Sequence, residues 1–82
     1  MSPAQIHNLI QAGGEERCRL HLKKLALPQR METLSQVIPW VNESPKSLKF
    51  YRDNFAIELG ALIKSEMDCN KAVELYRQAK GK

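Results

Sequence analysis

His7, His21, Cys18 and Cys69 are the side chains in this sequence best suited to metal ligation or nucleophilic chemistry. Their arrangement supports neither. The histidines fall on two separate early helical segments, and the chain holds no H-E-x-x-H, G-x-S-x-G or phosphate-loop pattern. His21 stands between the cations Arg17 and Lys24 on one helical face, with no carboxylate to orient it as a base. The two cysteines are too few for a disulfide framework and lack the paired spacing of a zinc site. They are expected as buried free thiols, a single bridge being the other possibility. A helical chain of 82 residues also has little room for a substrate pocket. The expectation is a protein that is not an enzyme, with no catalytic residues, metal, cofactor or small-molecule substrate.

Charge offers a second kind of chemistry. Arg17, Arg19, Lys23, Lys24 and Arg30 crowd one stretch, opposed only by Glu15 and Glu16, in a chain of net charge +4. Such an arc can grip phosphates, which demand positive charge and little geometry. It is equally a solvated face whose stems cover apolar surface, and no aromatic or amide side chains are interleaved to read bases. Further on, Ala56-Ile57-Glu58-Leu59-Gly60-Ala61 resembles the A-x-x-L-G-h core of a helix-turn-helix, where the glycine makes the turn. Downstream, Glu66 takes the place of the expected apolar residue, and Leu62 and Ile63 occupy the turn. Under this resemblance Lys64, Asn70, Lys71 and Arg77 would contact nucleic acid, with Arg19 and Arg30 holding its backbone. The alternative keeps Gly60 inside a continuous helix at a cost of ~1 kcal/mol, tolerated because a neighbouring helix packs closely there.

The elements that must carry these residues are helical throughout. Ser2 and Pro3 open a short helix stopped by Gly13 and Gly14, and Glu15 and Glu16 favour a second start that runs to about Leu27. Pro28 ends that helix or begins the next. Met31, Leu34, Ile38 and Val41 step at three or four residues, with a break expected near residues 37–38 because Pro39 removes a backbone donor. Trp40 is then a plug in a corner. Ser44 and Pro45 start the longest helix, about residues 45–67, which holds three of the five aromatic residues in its first turns. Leu48, Tyr51, Phe55, Leu59 and Leu62 line one face, while Phe50, Ile57 and Ala61 lie roughly opposite. A cap near Met67 and Asp68 precedes a final amphipathic turn or two, and residues 79–82 should fray. No stretch alternates as a strand does. The fold class is therefore all-α: one domain over residues 1–82, a compact bundle of four to five short helices around one long central helix.

A long helix that is apolar on two sides is either central in its bundle or waiting for a partner. The leading functional expectation is a regulatory or adaptor protein that docks an apolar helical face onto a protein partner or onto itself. Leu20, Leu27, Trp40, Phe50 and Ile57 would supply buried area, and Arg17, Lys23, Lys24 and Lys49 would steer. A small DNA-binding regulator is the runner-up. The N-terminus has no basic stretch leading into an apolar run, and no segment approaches the ~18 apolar residues of a membrane helix, so the cytoplasm is the expected compartment.

Overall fold

The computed structural model describes residues 1–81; Lys82, part of the expected fraying end, lies outside the described residues. Among the described residues there are five α-helices and no strand: α1 (Pro3–Gln11), α2 (Glu15–Lys24), α3 (Leu27–Val41), α4 (Pro45–Lys64) and α5 (Cys69–Lys80). The polar starts behave as their chemistry demands. Ser2 accepts from the Gln5 amide while the Gln5 side chain reaches back to the Ser2 amide, a reciprocal cap. Ser44 accepts from the Ser47 amide, and Asp68 from those of Asn70 and Lys71.

Three element boundaries differ from expectation. Helix α2 ends at Lys24, since Leu25 is already extended (ψ 143°). Helix α3 runs unbroken through Pro39, with Trp40 in the helix rather than after it. Pro39 sits on the exposed side within the last turn, so only one backbone bond is lost, where water can replace it. Helix α4 ends at Lys64, and the last helix is a full 12 residues.

Helix α4 is the spine, packed against α5, α3 and α1. The core is built from Ile6, Ile10, Leu22, Met31, Leu34, Val37, Tyr51, Phe55 and Leu62 around it. Its buried face keeps Tyr51, Phe55 and Leu62 of the apolar periodicity but is not confined to that stripe. Ser47, Phe50, Glu58 and Ala61 are buried, while Leu48 and Leu59 are only half-buried. Phe55 leaves helical geometry (φ −137°, ψ 32°), and beside it the Asn54 amide donates to the Phe50 carbonyl at 2.9 Å. A side chain entering the backbone ladder is a recognised cause of a kink.

Two polar contacts explain why polar residues sit inside. Gln11 Nε2 donates to Ser44 Oγ (2.8 Å) and Ser47 Oγ (2.9 Å), tying the end of α1 to the start of α4. Arg30 pairs with the buried Glu58 at 3.3 Å and donates to the carbonyls of Leu22, Lys23 and Leu25. The Leu22 carbonyl also accepts from the Leu25 amide, while those of Lys23 and Leu25 lie past the last backbone donor that the end of α2 supplies. Cys18 and Cys69 are free thiols, Cys18 buried with its Sγ toward the Ile6 carbonyl and Cys69, against expectation, only half-buried at the start of α5.

Arg30 should therefore matter more than its carboxylate. Arg30→Met strands Glu58 in the interior and strips three carbonyls, a loss of about 3–5 kcal/mol. Glu58→Gln keeps an acceptor for the guanidinium and should cost roughly 1–2 kcal/mol. Urea midpoints compare the two; equal losses would mean that the carbonyl contacts contribute nothing.

The ends of α1 and α4 close in the same way with different residues. After α1, Gly14 N–H bonds the Leu9 carbonyl and Gly13 N–H that of Ile10, with Gly13 left-handed at φ 90°. After α4, Met67 N–H bonds the Leu62 carbonyl and Glu66 N–H that of Ile63, but the left-handed positions are Glu66 (φ 55°) and Met67 (φ 69°). Both are Schellman closures, and only the first uses glycine. Glu66→Gly relieves the Cβ crowding, partly offset by a freer unfolded chain, for a net gain of about 0.5–1 kcal/mol. Thermal denaturation should read this as a rise of roughly 3–6 °C in Tm.

Candidate functional site

Three of the exposed large apolar side chains gather on the second half of α4 and the turn after it, while Met1 and Leu20 are exposed elsewhere. Ile57 is 42% exposed, Ile63 69% and Met67 41%. Ala56 and Gly60, one turn apart, form a low crest between two grooves. The first, about 400 Å³, runs along α3 and is walled by Ile38, Val41, Leu48, Leu59, Ile63 and Met67. The second, about 390 Å³, runs along α5 and is walled by Ile57, Ala61, Leu75 and Ala79. The only charged residues lining them, among the described residues, are Arg52 in the first and Lys64 in the second. Groups for general acid–base work do not converge here; apolar area with a cationic edge does.

The residues expected to bind a partner are divided by this geometry. Ile57 belongs to the face. Phe50 does not: it is 4% exposed, edge-on to Tyr51 and against Phe55, so it is core and presents nothing to a partner. Trp40 is half-buried and stacks on His7 with ring centroids 5.8 Å apart, and Leu27 is half-buried against the core. Leu20 is 46% exposed on α2, and neither groove includes it. Among the steering cations, Lys23 lays its Nζ 5.4 Å from the centre of the Phe55 ring and shields the core. Lys49 lines a different hollow with Glu15, Lys46 and Asp53, and Arg17 and Lys24 are exposed on α2.

The nucleic-acid candidates are also separated. Lys64 ends α4, Asn70 and Lys71 begin α5, and Arg77 lies in its last turn. Arg19 on α2 is held by Glu16, and that hydrogen bond keeps the Glu16 carboxyl below its ordinary pKa. Arg30 is turned inward and cannot hold a nucleic-acid backbone. Gly60 lies inside α4 and the turn comes only after Lys64, so the glycine does not do what the helix-turn-helix spacing asks of it. Nor does a helix crowd it, as expected for a glycine within a helix: a Cβ there would meet nothing within 4 Å.

Inside the bundle, His7 Nδ1 is buried without a hydrogen-bond partner among the described residues, and Tyr51 and Cys18 are buried polar groups of the core. Burial, with Cys18 beside it, pushes the Tyr51 phenol above its ordinary pKa, and its oxygen has no partner among the described residues. Burial, reinforced by Glu15, pushes the Cys18 thiol up as well. Both are held neutral, which is the reverse of activating a nucleophile.

Sequence reasoning missed Gly60, Ile63, Met67 and Arg52 as parts of the face. A signal was present: Ala56, Gly60, Ile63 and Met67 step at three or four residues and make a third stripe of small and apolar side chains. Comparisons with protein-family models, curated proteins and solved structures return no match for this chain. The face therefore has to be understood from its own geometry.

Open space over Gly60 makes a direct expectation. Gly60→Ala should raise stability by about 0.5–1 kcal/mol, since it restores helix propensity without a clash. A fall in the denaturation midpoint would mean that something in the fold needs the bare backbone.

Proposed function

We propose that this protein is a non-enzymatic docking module that binds another protein through the outer face of α4. One observation carries the reading: three large apolar side chains, Ile57, Ile63 and Met67, stay exposed around a crest of Ala56 and Gly60. Single exposed apolar residues are ordinary, but a clustered set with grooves on both sides is the usual mark of an interaction surface. Two features that lower stability lie on or next to this same surface. Gly60 sits in the helix interior, where it is a poor helix former, and Glu66 and Met67 occupy left-handed backbone that favours glycine. Retained strain beside an exposed patch fits a binding role.

The face also resembles known helix-binding grooves in kind. Its walls are aliphatic, its crest is low enough for close backbone approach, and its polar edge is sparse. The binding area is expected from Ile57, Ile63, Met67 and Leu59; Phe50 has no part in it.

A photo-crosslinking residue placed at position 63 in cells that make the protein should give adducts of higher mass. The same residue at position 20, on α2, should not. Gly60→Leu fills empty space without disturbing the core and should remove the adducts while leaving Tm within a few degrees of the parent. Equal labelling at positions 63 and 20, or none at 63, would end the proposal.

A further inference from the structure

Resting on the docking reading above, we infer that the occupant of the α4 face is an amphipathic α-helix of another protein with carboxylates on its flanks. The grooves on either side of the Ala56–Gly60 crest each carry one charged wall residue, Arg52 in one and Lys64 in the other, and both are cations. They stand twelve positions apart on α4, on either side of the bend at Phe55, a contour of roughly 18 Å at helical rise. The carboxylates nearest in sequence do not neutralise them. Glu58 is buried against Arg30, Asp68 caps α5, and Asp53 lines two further hollows, one with Lys46 and Lys49 and one that adjoins Ala56 and Ile57, where Lys23 and Lys80 outnumber it. Glu66 is exposed in the turn beside Met67, outside both groove linings.

The shape selects a helix. A crest of two small residues one turn apart lets a backbone come close, and the flanking grooves accept side chains at helical spacing. The charges select its sign. Carboxylates about three turns apart on the incoming helix meet Arg52 and Lys64 while its apolar stripe covers Ile57 and Ile63. A second copy of this chain is a poorer fit. Laid two-fold across the crest, parallel or antiparallel, it gathers two groove cations at each end of the interface, and like charges there cost affinity.

The test is a displayed library of twenty-residue amphipathic helices with a fixed leucine stripe and flanking positions randomised among Glu, Gln and Lys. Selection on the intact protein should enrich Glu over Lys at least tenfold at flanking positions three turns apart, and binding of the winners should weaken as salt rises. The exposed pair R52E/K64E, checked for an unchanged melting curve, should reverse that preference, and Ile63→Asp should abolish binding by every class. Enrichment without charge preference, or for Lys, overturns the inference while leaving the docking face intact. So does a dimer of the chain alone, seen by sedimentation equilibrium and dispersed by Ile63→Asp. Failure to recover any helix that depends on Ile63 overturns both the inference and the docking reading.

Discussion

The Arg30 guanidinium is where three helices meet, and the geometry of α4 follows from it. Helix α2 stops at Lys24, leaving carbonyls at its negative end that must find donors. Arg30, from the first turns of α3, reaches back to three carbonyls there and forward to Glu58 on α4. A charged pair this buried is tolerable only when nearly all its polar atoms are matched. A planar fork with several donors meets that requirement where a lysine could not. Because Glu58 must face Arg30, the rotational setting of α4 has little freedom. At 3.6 residues per turn, Ala56, Gly60 and Ile63 then lie on the side away from Glu58.

Fold and face are thus one problem. The interaction that closes the interior also decides which apolar residues stay outside. Ser47 works in the same sense at the other end of the helix, where Gln11 draws it inward. The kink at Phe55 lies between these two polar anchors and lets both halves of α4 meet their partners. Without that bend, one straight helix would have to satisfy both anchors and the aromatic cluster of Phe50, Tyr51 and Phe55 at once.

The second half of α4 departs from what stability alone would choose. A bare glycine faces open space, and the turn that follows holds Glu66 and Met67 in left-handed backbone. At the end of α1, where the same closure is made with no such exposed cluster after it, Gly13 takes the left-handed position. The same closure is thus made with glycine at one helix end and without it at the other. Both departures, the bare glycine and the left-handed turn, lie on or beside the exposed apolar cluster of Ile57, Ile63 and Met67.

Helix identity and most of the helix starts were legible in the residues, because capping and periodicity are local. Ser2, Ser44 and Asp68 each bond amides within three positions, so neighbours in sequence suffice to place them. Tyr51, Phe55 and Leu62 turn inward as their spacing requires, but local pattern could not supply the rest of the inward face of α4. Periodicity favoured Leu48 and Leu59, and paired Phe50 with Ile57 as one outer stripe. The folded chain buried Phe50, left Ile57 open, and drew in Ser47 and Glu58. Those choices depend on Gln11 and Arg30, which lie on other helices, 36 and 28 positions from the residues they hold. A polar side chain looks solvent-seeking in sequence until its distant partner is known. The energy of burying it depends on that partner, and only the tertiary structure brings the two together.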